Sequence, residues 1–160
     1  MKFTITIILG LFCTLSWAQV NLVPNGSFED IEGCPDDPFG IAVVPASSLV
    51  QPWRKVGGGG GGVQYFNSCG TTDFSVPDNY TGSQDAIDGV GYASSIIWLN
   101  QDLLPSGVIP NFFGTTLIEP LVLGKAYTVS FCLSLMDSLW YASKNIGVHF
   151  SVDQPESDYE

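Results

Sequence analysis

Basic side chains are scarce in this chain. Its 160 residues carry five Lys and Arg against sixteen Asp and Glu, a formal charge of -11. That balance excludes a nucleic-acid surface, whose phosphates demand a dense field of Lys and Arg. It also argues against electrostatic adhesion to anionic lipid, and fits a soluble surface protein or one that uses divalent cations. Histidine is rarer still, with His149 alone, and only four cysteines accompany it. A metal centre built on several His or Cys ligands is therefore excluded by count, whereas an oxygen-only calcium site is left open. No segment longer than a few residues shows a 3.6-residue apolar period, which argues against helical architecture. Long apolar runs are also missing: the one at the amino terminus is about ten residues, short of the ~18 needed to cross a bilayer.

That amino-terminal run has a different meaning. Lys2, the apolar stretch 3–12 and the small residues Ser16 and Ala18 have the layout of a secretory signal peptide, residues 1–18, with cleavage expected after Ala18. Leu11 and Phe12 are bulky where a lipoprotein signal places small residues ahead of its cysteine, so Cys13 is not expected to carry lipid. Removing 18 of 160 residues leaves 142, enough for one domain with a sizeable core, expected over 19–160. Removing Lys2 leaves four basic residues against sixteen acids, a charge of -12. The protein is expected to be secreted, to lie outside the cell or on its outer surface, and not to be inserted in a membrane.

Glycine and proline are plentiful, 18 and 10 residues, and they punctuate short apolar runs as in all-β domains. The clearest strand is "AYTVSFCLSL", where Tyr127, Val129, Phe131, Leu133 and Leu135 share one face and Thr128, Ser130, Cys132 and Ser134 the other. "NIGVHFSV" repeats the pattern with Ile146, Val148, Phe150 and Val152. "GSFEDI", "VQYFNS" and "GYASSIIWL" predict further strands, "TTLIEPLVL" an extended segment with Pro120 at an edge or bulge, and "LLPSGVIPN" (103–111) an exposed loop. Seven or more short strands with such turns predict an antiparallel β-sandwich. The polar stretch "VDQPESDYE" follows where a sandwich would need more strands, so the domain is expected to be incomplete at its carboxy terminus. The glycine run 57–62 lacks the Gly-Lys-Ser/Thr of a phosphate loop and predicts a flexible surface loop.

Three cysteines survive signal removal. Cys34 and Cys69 sit in turn-rich segments and Cys132 in a strand, so a Cys34–Cys69 disulfide with Cys132 free is expected in an exported chain.

The ordered set "NLVPNGSFED", Cys34-Pro35, Pro52-Trp53, "YFNSC", "VPDNYTG", "PLVLGKAYTVSFCLSL" and "YASKNIGVHFS" resembles the amino-terminal domain of a family of secreted and surface proteins of Bacteroidetes. Those domains occur alone or ahead of sorting or OmpA-like domains. More distantly, "NLVPNGSFE" and the "L..GK.Y.VSF" strand are similar to carbohydrate-binding modules of the galactose-binding-like class. This second resemblance implies a jelly-roll sandwich and a structural calcium ion held in part by Glu29.

Catalysis is poorly supported. A lone His149 sharing a polar strand face with Cys132 is the usual arrangement of a solvated histidine rather than of a nucleophile and its base. Asp36, Asp37, Asp85 and Asp88 all lie beside Gly, Pro or Cys in expected turns, where Asp bonds its own backbone. Glycan recognition needs aromatic platforms for the apolar face of a sugar ring. Trp140, Tyr141, Trp98 and Tyr80 are the candidate platforms, with Tyr92 in reserve and Trp53 assigned to the core. The expected function is a non-enzymatic binding module for glycan or another cell-envelope component, the rival being an adhesive spacer with no small ligand. Phe28 is expected to be the first inward side chain of the first strand.

Overall fold

The computed structural model describes residues 20–37, 40–41, 48–56, 62–95, 112–137 and 146–153. The signal segment 1–18, the loop 103–111 and most of the glycine run therefore lie outside the described residues. Within them the chain is strand-rich with almost no helix, and every sheet is antiparallel. Six strands form three ribbons. β1 (Arg54–Val56) pairs with β6 (Phe112–Gly114), β2 (Val63–Asn67) with β5 (Gly91–Ser95), and β3 (Asp78–Asn79) with β4 (Gly82–Ser83). A single 3-10 turn, Thr72–Phe74, lies between β2 and β3.

β2 is the centre of the molecule because its sequence, Val-Gln-Tyr-Phe-Asn, is buried along its whole length. Its register against β5 sets Tyr65 opposite Ala93 and Phe66 opposite Tyr92. Alternation then gives the ribbon two faces. On one, Val63 and Tyr65 join Ile41 and Val50 in the core, and Phe28, Ile31, Leu49, Trp53, Ala93 and Phe113 close over it. On the other stand Gln64 and Phe66, together with Tyr92 and Ser94.

The expected strand "VQYFNS" is thus present as β2, and "GYASSIIWL" as β5 over Gly91–Ser95, its residues 96–99 lying outside the described residues. Four others differ. "GSFEDI" is a turn, not a strand: Asn25 and Phe28 have φ of 47° and 63°, and pairing begins only at the isolated bridge between Ile31 and Val50. "TTLIEPLVL" is unpaired apart from the bond from Ile118 N to Leu22 O, the nearest ladder being β6 just before it. Residues 126–136 and 146–152 lie in no ladder among the described residues, and their apolar side chains other than Met136 are exposed. The period-two pattern describes faces, but a strand also needs a neighbour to bond.

The expected disulfide forms, joining Cys34 and Cys69 with their Cα atoms 5.5 Å apart, and Cys132 is free and exposed. No helix among the described residues is long and apolar enough to cross a membrane.

Candidate functional site

The opening motif is built from its own side chains. Asn25 is the hub: its Nδ2 donates to Asp30 O at 2.8 Å and to Gln51 O at 2.7 Å, while its Oδ1 accepts from Asp30 N at 3.0 Å. Trp53 Nε1 donates to Asn25 O at 2.8 Å, so the indole is locked to the same turn. The turn throws Phe28 inward against Trp53 and Phe113, with ring centroids 5.0 and 6.4 Å away. Phe28 is thus inward, as expected, but from a turn. Trp53 likewise packs on the core.

Next along the chain, Glu29 Oε1 accepts from both Val90 N and Gly91 N at 2.9 Å. Gly89, at φ +69°, lies hard against this carboxylate, and a side chain there would meet it. Beside it, Asn67 Nδ2 donates to Tyr65 Oη at 2.7 Å and Tyr65 Oη donates to Phe28 O at 2.8 Å. Burial raises the Tyr65 pKa, the Asn67 hydrogen bond lowers it, and the negative charge of Glu29 raises it again. Glu29 therefore acts as a clamp between the amino-terminal turn and β5. A calcium ion takes six to eight oxygens. One oxygen of Glu29 is left by the backbone, and no group of three or more His, Cys, Asp or Glu gathers among the described residues. The described residues alone therefore fall short of a calcium site.

The second face of the β2–β5 ribbon has a different character. Phe66, fully buried, lies at its centre, with Tyr92, Tyr80 and Phe74 at centroid distances of 5.3, 5.8 and 6.3 Å. Phe74 meets the Tyr80 ring edge-on at 5.7 Å and 77°, the geometry favoured by aromatic quadrupoles. Tyr80 is held from below yet is 49% exposed. Its position follows from the turn between β3 and β4, where Asn79 organises the chain. Asn79 Oδ1 accepts from Thr81 N and Thr81 Oγ1, and Asn79 Nδ2 donates to Ser75 O and to Tyr92 Oη. The Tyr92 hydroxyl accepts from Asn79, which leaves its own proton for another acceptor.

Gln64 lies beside this cluster. It is 4% exposed, and its Oε1 has no hydrogen-bond partner among the described residues. Burial raises the Tyr80 pKa, and the neighbouring Gln64 side chain lowers it. The Tyr92 pKa is also raised, first by burial, against the Asn79 hydrogen bond, and then by the charge of Asp137. A buried carbonyl without a donor is unfavourable by about 1–3 kcal/mol. An aromatic surface and a tyrosine hydroxyl with a spare proton thus adjoin one another above the buried Gln64, chemistry suited to a ligand with both apolar and hydroxylated faces.

Of the sequence-predicted platforms, Tyr80 stands at this site, while Trp98, Trp140 and Tyr141 lie outside the described residues. Gln64, Phe74 and Asn79 were missed by sequence reasoning; the signal for Gln64 was a polar residue between two buried apolar ones in "VQYF". Asp36, Asp37, Asp85 and Asp88 are exposed, and His149 and Cys132 are both exposed. The chain matches no protein-family model, no curated protein and no solved structure.

Proposed function

We propose that this chain is a secreted, non-enzymatic β-sandwich module of jelly-roll type that binds an extracellular or cell-surface glycan through Tyr80. The observation that carries the reading is the half-exposed Tyr80 ring held over Phe66 and Phe74. A pyranose ring would lay its C–H face on the tyrosine, and its hydroxyls would exchange hydrogen bonds with the Tyr80 and Tyr92 hydroxyls. Trp140, Tyr141 and Trp98 remain candidates for further contacts. The calcium ion implied by the jelly-roll resemblance belongs to the same proposal, with Glu29 as the ligand it would use.

Affinity electrophoresis through a panel of polysaccharides tests this. Retardation by at least one glycan, abolished in Tyr80→Ala with an unchanged melting curve and largely kept in Tyr80→Phe, is the expected result. Mobility unaffected by every polysaccharide in wild-type protein would sink the glycan reading and leave the second one, a structural or adhesive spacer. The exposed apolar stripes on 126–136 and 146–152 favour that alternative, because they offer a surface for packing rather than for a sugar.

A further inference from the structure

Residues 126–136 contain no Asp, Glu, Lys or Arg. Tyr127, Val129, Phe131, Leu133 and Leu135 are 41 to 65% exposed, and no backbone group of this stretch bonds another backbone group among the described residues. One end of the stretch is tethered: Ser134 Oγ donates to Gln84 Oε1, and Asp137 Oδ2 accepts from Ser83 N at 2.8 Å. An open edge of this kind is normally guarded by charge, proline or a bulge, and here none of these is present. The stretch has the properties of a strand awaiting a neighbour.

We infer that the neighbour is a second copy of the same stretch, paired antiparallel about a two-fold axis through Phe131. Pairing Phe131 with its own counterpart sets Val129 opposite Leu133 and Tyr127 opposite Leu135 of the second copy, so the two apolar faces become one. Thr128 then meets Ser134, and Ser130 meets Cys132, on the polar side. Just beyond the uncharged stretch, Lys125 meets Asp137 of the second copy, and the symmetry makes this pair twice. A slip of two residues either way keeps the faces but separates these charges, so the ion pairs select the register. Exposed ion pairs contribute little affinity; association comes from the ten apolar side chains brought side by side and from the backbone bonds. The chain's excess of acids opposes association from outside the strand, and salt, by screening it, strengthens the dimer. The pairing does not depend on what Tyr80 binds.

Light scattering on the size-separated secreted chain tests the inference, with cysteine cross-linking as the positional readout. The expected result is a twofold mass at micromolar concentration that rises in proportion with added salt. In a Cys132→Ser background, Phe131→Cys is expected to form a disulfide-linked dimer on oxidation. Val129→Cys is expected to do so only when mixed with Leu133→Cys. These side chains are exposed, so the variants should fold. A monomeric mass at all salt concentrations, as would follow if another partner or another segment covered the strand, overturns the proposal. So does a dimer in which cysteines at 129, 131 and 133 cross-link equally, since that would place the contact elsewhere.

Discussion

Phe28 occupies a backbone region that L-residues avoid, at φ 63°, a conformation unfavourable by about 1–3 kcal/mol. It persists because the groups around it over-determine the turn: Phe28 O accepts the Tyr65 hydroxyl, Phe28 N donates to Asn25 O, and the ring is wedged against Trp53. Tyr65→Phe removes the hydroxyl while keeping the ring, leaving Phe28 O and Asn67 Nδ2 without their partner. A loss of about 1–3 kcal/mol in urea unfolding is expected. The same hydroxyl gives a pH dependence. Its pKa is raised in the folded state, so its contribution is complete below the unfolded tyrosine value near 10 and is lost as pH climbs from there through the folded value. Alkaline titration of stability above about pH 10 should therefore be shallower in Tyr65→Phe than in wild type. Glu29→Gln offers a second residue-scale test, because it keeps one acceptor for Val90 N and Gly91 N but loses the charge. If Glu29 is a clamp alone, its melting temperature should shift equally in chelator and in millimolar calcium; a shift seen only in calcium would establish the ion.

At the scale of elements, what the sequence announced depended on whether an element could be completed by local chemistry. "VQYFNS" and "GYASS" became β2 and β5 because each supplies the other's ladder and both faces find cover. "AYTVSFCLSL" has a cleaner alternation than either, yet it lies unpaired, since periodicity encodes which side is apolar and says nothing of who provides the hydrogen bonds. "NGSFED" failed as a strand for the opposite reason. Asn25 satisfies its neighbours' backbone groups through its own amide, so the local turn outcompetes extension. Tyr80 was legible as a candidate aromatic platform, but Gln64 and Phe74 were not, because their roles arise only when the β3–β4 ribbon folds back over β2. The Cys34–Cys69 bond was legible from turn composition and from export. It links the segment after the opening turn to the end of β2, and the chain-entropy effect of the loop it closes, 35 residues apart in sequence, is about 3–4 kcal/mol. Cys34→Ser with Cys69→Ser should lower stability by that order in urea, and reductant should do the same to wild type while leaving the double variant unaffected.

Across the whole molecule two properties oppose each other. Sixteen acids against five bases keep copies apart in neutral solution, and a series of exposed apolar side chains from Tyr127 to Leu135 and from Ile146 to Val152 draws them together. Solubility then rests on charge, because contiguous apolar surface is tolerated only while repulsion outweighs contact. The sequence pI near 4.1 marks where that repulsion vanishes. Turbidity should therefore rise sharply as pH falls toward about 4, ahead of any loss of the core contacts among Ile41, Val50, Val63 and Tyr65, which involve no acid even though Glu29 clamps the start of β5. Replacing Val148 and Phe150 by Ser should suppress the turbidity with little change in the melting temperature at neutral pH, since both side chains are about half exposed and lie outside the core cluster. Far-UV circular dichroism recorded through the same titration separates the two causes: an unchanged spectrum at the onset of turbidity places the driving force in the exposed stripes, whereas a spectrum that changes first would place it in unfolding.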